Sequence, residues 1–277
     1  MDQPEICRQA AEALRQARLL IVTAGAGMGV DSGLPDFRGD QGFWQAYPMY
    51  RHLGIDFVDA ANPQHFQRDP AFGWGFYGHR TNLYRATVPH PGFALLKQWA
   101  QRFDLACFVV TSNVDGQFQK AGFAEEQMVE VHGSIHHLQC QRPCSPTIWP
   151  NRETIPIDEQ SMRAEHLPRC PRCGDIARPN ILMFGDSSWI SDRSQAQEQR
   201  FQNFLAEHDD APAVVIEIGA GSAIPTIRYL SERLGRRPRA RVVRINPREP
   251  QIPAPHLSLP CSALSGLEAI NAALAGR

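Results

Sequence analysis

No stretch of this sequence is apolar for long enough to span a bilayer, and its beginning shows no basic segment followed by an apolar core and a cleavage site. The expectation is a soluble, cytoplasmic protein. Charge of one sign is also lacking: a formal net charge of −1 over 277 residues leaves no global basic field, which disfavours nucleic acid or an anionic membrane as principal partner. The basic run from Arg233 to Arg241 reads as a helix end and a solvated loop. Internal repeats and low-complexity segments are absent, and 43% hydrophobic residues suffice for the core of one large or two smaller domains. A complete dinucleotide fingerprint is missing too, because after Gly25 and Gly27 the third glycine of G-x-G-x-x-G is replaced by Val30.

What is present is a short apolar run, Leu19 to Val22, that opens into Gly25-Ala26-Gly27-Met28-Gly29. A buried strand delivering a glycine turn lets the backbone approach an anion, and a following helix N-terminus would offer its unpaired N–H groups. The loop after it carries Asp36, Phe37 and Arg38: an acid, an aromatic plate and a guanidinium suited to cover a ribose and hold a diphosphate. By itself the turn stays ambiguous between a nucleotide site and a turn that binds nothing.

Helical spacing of apolar residues predicts helices over Pro4 to Ala17, Phe93 to Phe103, Gln195 to Ala206, Thr226 to Leu234 and Ser265 to Leu274, the last with Ser265 as N-cap. Continuous apolar runs predict buried parallel strands at Ala106 to Thr111 and Ala213 to Ile218, a short one at Met128 to Val131, and a last core strand at Arg241 to Asn246. Residues 40–80, rich in aromatics and broken by prolines, predict several short helices packed through their rings. Arg178 to Asp186 is expected to return to the sheet as a proline-led edge strand. Strands alternating with helices give a doubly wound, Rossmann-like parallel sheet. Two insertions would form a smaller domain: residues 1–39, 81–138 and 176–277 make the nucleotide-binding part, 40–80 the helical module and 139–175 a metal-binding module.

Four of the seven cysteines fall in two close pairs, Cys140/Cys144 and Cys170/Cys173, separated by a polar, proline-containing insert. That spacing is the arrangement of a structural Zn²⁺ ribbon, closed and tetrahedral, with no vacant position for chemistry. His132, His136 and His137 lie just before it and are open to reading as ligands, a base or ordinary polar residues. Ser112, Asn113 and Asp115 follow the strand ending at Thr111, where open α/β sheets place their ligands, although such residues also serve as turn and cap residues. Tyr77 and Arg80 share a helix face at i, i+3 and could jointly grip a carboxylate or be a structural pair.

Taken in order, these motifs resemble the sirtuins, the NAD-dependent protein deacylases. Gly25 to Gly39 follows their signature GAGxSxxSGIPDFRG with differences at Gly29 and Leu34, and Ser112-Asn113-Val114-Asp115 stands for Gln-Asn-Ile-Asp, with Phe118 replacing a usual histidine. His132-Gly133 matches the His-Gly motif, Gly219 to Ser222 the second glycine turn, and Asn246 with Arg248 and Glu249 the Ile-Asn-x-Glu stretch. The resemblance implies NAD as cofactor, bound through Gly25, Ala26, Gly27, Met28, Asp36, Phe37, Arg38, Ser112, Asn113, Asp115, Gly219, Ser222 and Asn246. It implies His132 as general base, with Asn113 serving the nicotinamide pocket, and the cysteine pairs as the family's zinc module. Acylated lysine on proteins or peptides is the implied partner, paired along Ile181, Leu182, Phe184 and Gly185. A Tyr-x-x-Arg pair like Tyr77 and Arg80 occurs in sirtuins that prefer succinyl or malonyl groups. The implied reaction yields nicotinamide, O-acyl-ADP-ribose and deacylated lysine. Alternatives are protein ADP-ribosyl transfer or NAD hydrolysis, motivated by Ser112, Phe118 and the altered second glycine turn, and a non-catalytic NAD-binding or zinc-ribbon interaction module.

Overall fold

The computed structural model describes residues 2–36 and 39–276. The chain opens with α1 (Gln3–Gln16), started by Asp2, whose side chain accepts from the Glu5 amide, and enters β1 (Leu19–Ala24). All six residues of β1 are buried, as the unbroken apolar run requires of a strand covered on both faces. No α-helix follows the glycine turn. Two short 3-10 turns, Ala26–Met28 and Val30–Ser32, take its place, because Gly33 at φ +85° closes the second turn on the Val30 carbonyl.

Five short helices come next, α2 (Gly39–Ala46), α3 (Pro48–His52), α4 (Phe57–Ala60), α5 (Gln64–Arg68) and the longer α6 (Pro70–Ala86). Proline starts α3 and α6, where its missing N–H costs nothing. As the composition predicts, rings hold them together: Phe43 meets Phe76 edge-on at 5.8 Å, and Phe66 meets Trp74 at 5.7 Å. The Trp74 indole donates to the Ala177 carbonyl at 2.8 Å, which ties this layer to the strands that follow.

The chain then runs through α7 (Pro91–Arg102), β2 (Ala106–Thr111), α8 (Gln117–Lys120), β3 (Met128–Glu130), β4 (Gly133–Cys140), β5 (Ile148–Pro150), β6 (Ile157–Asp158), β7 (Arg163–Ala164) and β8 (Ala177–Ile181). It finishes with α9 (Asp192–Glu207), β9 (Ala213–Ile218), α10 (Thr226–Gly235), β10 (Ala240–Ile245), β11 (Leu257–Leu259) and α11 (Ala263–Ala275). The main sheet has the order β11-β10-β9-β1-β2-β3, and every pairing is parallel. Alternate side chains of its strands feed opposite layers. Leu20, Val22 and Ala24 pack with α1, α7 and α11, whereas Ile21, Val110 and Val215 pack with Phe201 of α9 and Ile227 of α10.

Three local expectations are corrected. The segment from Arg178 joins not the main sheet but the edge of a separate antiparallel one, β5-β4-β8, because β8 pairs with β4 from Gly133↔Ile181 to Cys140↔Ala177. β10 is not the last strand: β11 adds beside it, too short to carry a periodic signal. The N-cap of α11 is Ser262, whose hydroxyl accepts from the Ser265 amide. No helix among the described residues is long and apolar enough to cross a membrane.

Candidate active site

β1 and β9 are neighbours, and the chain leaves them toward opposite edges of the sheet, β1 toward β2 and β9 toward β10. This is the switch point at which open α/β sheets bind ligands beyond the strand ends. Each strand is followed directly by a glycine, and the two turns interlock. The Gly25 amide donates to the Ile218 carbonyl at 2.9 Å and the Gly27 amide to the Gly219 carbonyl at 3.1 Å. A Cβ on Gly25 would stand 2.8 Å from the Gly219 carbonyl oxygen. A Cβ on Gly219, whose φ is +62°, would stand 2.4 Å from the Gly27 Cα. Gly219→Ala is therefore expected to lower stability by about 3 kcal/mol, from left-handed strain plus overlap with an immovable backbone. Urea unfolding measures it; a change within 0.5 kcal/mol, about the scatter of ordinary surface substitutions, would refute the interlock.

A cleft of about 930 Å³ opens above these turns, in the upper part of the range usual for small-molecule sites. Gly25, Ala26, Asp36, Gly219 and Ser222 line it. Gly27 and Met28 do not: Gly27 packs on Gly219, and Met28 is wholly buried in the core, its carbonyl accepting from His90 Nε2 at 2.9 Å. Asn246 also stands behind the wall. Its amide donates to the Ala220 carbonyl at 2.8 Å and its oxygen accepts from the Arg248 and Glu249 amides, both at 3.0 Å, so it braces the second glycine turn from below. Glu249 reaches the Ser222 hydroxyl and accepts from the Ser222 amide at 3.0 Å, and Arg248 lies 3.9 Å from Asp36 across the cleft. Phe37 and Arg38 lie outside the described residues.

The end of β2 supplies the inner wall. Ser112, Asn113 and Asp115 all line the cleft, and the Asn113 amide group donates to the Gly25 carbonyl at 2.9 Å, joining the third strand end to the glycine turn. Asp115 is buried and accepts from the Gln117 amide at 3.0 Å. Burial pushes its pKa up to about 6, helped by Glu130 and opposed by the Gln117 hydrogen bond and the Arg80 charge. His132 faces the same cleft from the turn between β3 and β4. Burial holds its pKa below the ordinary histidine value, against a hydrogen bond to the Ser112 carbonyl. Burial thus favours the neutral imidazole, the form a base needs at neutral pH.

The two neighbouring histidines play other parts. His136 Nε2 donates to the Asp115 carbonyl at 2.9 Å and buttresses the β2 loop. His137 Nδ1 is buried without a partner, and burial, with Arg193 nearby, pushes its pKa down to about 4. A folded-state pKa below the unfolded value stabilises the fold above about pH 6.5 and loses that contribution as pH falls through about 4, a swing of about 3 kcal/mol. His137→Phe is expected to flatten the acid limb of stability measured by urea unfolding between pH 7 and 4; an unaltered limb would exclude this origin.

At the far side, Tyr77 and Arg80 of α6 line the cleft together, both buried, as do Ile181, Leu182, Phe184 and Gly185 at the end of β8. The Leu182 amide donates to the His132 carbonyl at 2.9 Å, which ties the β8 edge to the histidine backbone. Away from the cleft, the four paired cysteines converge, with all their sulfurs within 4.8 Å of one another. Sγ of Cys140 lies 3.6 Å from Cys173 and Sγ of Cys144 lies 3.7 Å from Cys170. Tetrahedral zinc with bonds of about 2.3 Å sets its sulfurs about 3.8 Å apart, so this set fits Zn²⁺ as it stands.

Comparison with known proteins places this arrangement. The Sir2 family profile matches residues 25–216. The chain belongs to the Sir2 family. It is similar to an NAD-dependent protein deacylase of Thermococcus kodakarensis, 31% identical over 80% of this chain and 77% of that protein. A deacylase of the same name from Methylococcus capsulatus is 32% identical over 85% of this chain and 84% of its own length. Among solved structures, a Sir2 homologue in complex with NAD superposes with a TM-score of 0.71, 23% identity, and coverage of 96% of this chain and 93% of that one, a likeness of fold.

Two departures of this Sir2-family chain from the family pattern fall in different places. Ser112 is on the cleft wall, whereas Phe118 is buried in the core against Phe93 at 4.9 Å and Phe123 at 5.3 Å. Phe118 therefore changes the packing under the loop and not the cleft surface. Sequence reasoning missed Tyr84 and Val58, which also line the cleft. Tyr84 was legible at i+7 from Tyr77 on the same helix face; nothing marks the exposed Val58.

Proposed function

We propose that this chain is an NAD-dependent protein-lysine deacylase of the cytoplasm, consuming one water and releasing nicotinamide, O-acyl-ADP-ribose and free lysine, with Tyr77 and Arg80 gripping an acidic acyl group such as succinyl or malonyl. The observation that carries it is His132: one imidazole, kept neutral by burial, in the cleft that both glycine turns, Asn113 and Asp115 share. Relatives named NAD-dependent protein deacylase support the activity, and NAD fits the glycine cradle that no Cβ would clear.

When bound, NAD supplies the ribose carbon that accepts the acyl oxygen, with nicotinamide as leaving group. The residues divide the remaining work. The turns at Gly25, Ala26 and Gly219, with Ser222 and Asp36, hold the dinucleotide, while Gly27, Met28 and Asn246 brace them from behind. Ser112, Asn113 and Asp115 form the nicotinamide end. His132 takes a ribose hydroxyl proton. The Ile181 to Gly185 edge pairs with the substrate backbone as an added strand. Residues 40–80 and 139–175 form the smaller domain over the nucleotide-binding remainder, and zinc on the four cysteines keeps the 139–175 module folded.

The test is nicotinamide release from NAD by purified protein with acetyl-, succinyl- or lipoyl-lysine peptides, following peptide mass in the same tubes. Release that depends on one acyl peptide, with matching loss of its acyl mass, is expected. Peptide-independent release, or ADP-ribose mass added to protein, would instead assign a hydrolase or transferase. NAD binding without any release would leave a binding module.

A further inference from the structure

The guanidinium of Arg80 ends in a box of rings, its central carbon 5.1 Å from the Phe76 centroid, 5.9 Å from Tyr77 and 5.3 Å from Tyr84. A charge this far from water persists only where its N–H groups find acceptors. Two of them find the same one: Nε and Nη2 donate to the Tyr84 hydroxyl at 2.9 and 2.5 Å. That acceptor is uncharged, and burial raises its pKa further above the ordinary phenol value. Tyr84 therefore fixes the guanidinium without cancelling its charge. A carboxylate in the same position would fix it and neutralise it, leaving nothing for a ligand.

Tyr84 is itself well placed. It shares one face of α6 with Tyr77 and Arg80, at i, i+3 and i+7, and all three line the cleft. Its carbonyl accepts from Gln117 Nε2 at 3.0 Å, and the Gln117 amide holds Asp115. Asp115 lines the same cleft and feels the Arg80 charge.

We propose, resting on the acidic-acyl reading above, that Tyr84 is a positioning residue for acyl-group selectivity: its hydroxyl holds Arg80 by the Nε–Nη2 edge so that the charge meets the carboxylate at the far end of a succinyl or malonyl group. The recognition unit is then Tyr77-x-x-Arg80-x-x-x-Tyr84.

Steady-state kinetics of the zinc-loaded full chain, on succinyl- and acetyl-lysine peptides of one sequence, test this with Tyr84→Phe and Arg80→Met in parallel. Tyr84→Phe is expected to raise KM for the succinyl peptide about tenfold, with its kcat and both acetyl parameters within about twofold. Equal loss on both peptides in a folded variant, or loss confined to kcat, makes Tyr84 a packing residue and overturns the proposal. An unchanged succinyl KM in Tyr84→Phe beside a large rise in Arg80→Met overturns it while leaving the acidic-acyl reading standing. No succinyl effect in either variant overturns both. Tyr84→Leu deletes the same acceptor with a different shape and replaces Tyr84→Phe if that variant does not fold.

Discussion

Replacing His132 with alanine is expected to cut acyl-lysine turnover by about 10²–10⁴-fold, the range removed with a positioned general base. KM for the peptide should change little, because the β8 edge proposed to receive the substrate bonds to the His132 backbone carbonyl and not to its ring. The pH profile gives a second reading of the same residue. In the proposed role His132 must be unprotonated, and burial lowers its pKa, so the acid limb should lie below the ordinary histidine value of about 6.5. Asp115, pushed up to about 6, takes up a proton over nearby pH and steepens that limb. An acid limb above pH 7, or an alanine variant within tenfold of the parent, would remove His132 from the role of base.

Stripping zinc is expected to have the largest effect on structure. Four sulfurs 3.6 to 3.7 Å apart along the two paired edges have few other interactions to hold them, since Cys144 and Cys173 are exposed at the surface. Structural zinc contributes about 10 kcal/mol or more in small metal-folded units. A strong chelator, or Cys170→Ser, should unfold the 139–175 segment and cost activity in step, with one zinc per chain counted by atomic absorption in the parent. Proteolysis confined to that segment would mark local unfolding. A chelated protein of full activity and unchanged protease resistance would show that the sulfurs hold no structural metal.

Much of this was legible from residues alone, for identifiable reasons. β2 and β9 were readable to the residue and β1 to within two residues of its end, because strands buried on both faces are largely apolar, and the cysteine spacing is dictated by coordination geometry. The misreadings fall where sequence carries no period. β11 is three residues long, and the 3-10 turns after Gly25 depend on how Gly33 closes the chain, which local propensity does not encode. Met28 lies within the glycine motif yet points into the core, and Asn246 acts through hydrogen bonds to loops on either side of it. A motif marks a segment; which of its side chains face the ligand is decided by tertiary packing. Tyr84 shows the converse, since the i+7 spacing was visible but its meaning came only from the bonds to Arg80.

The interlocked glycine turns also bear on how the protein comes to be active. Gly25 lies near the start of the chain and Gly219 near its end, and each forms the wall against which the other is folded. Contacts so distant in sequence are slow to form, because the intervening chain must be ordered before they repay their closure entropy. The cofactor cradle is therefore expected to form late in folding. No nascent or truncated chain ending before β9 carries it, and competence to bind the dinucleotide reports that both halves of the sheet have met.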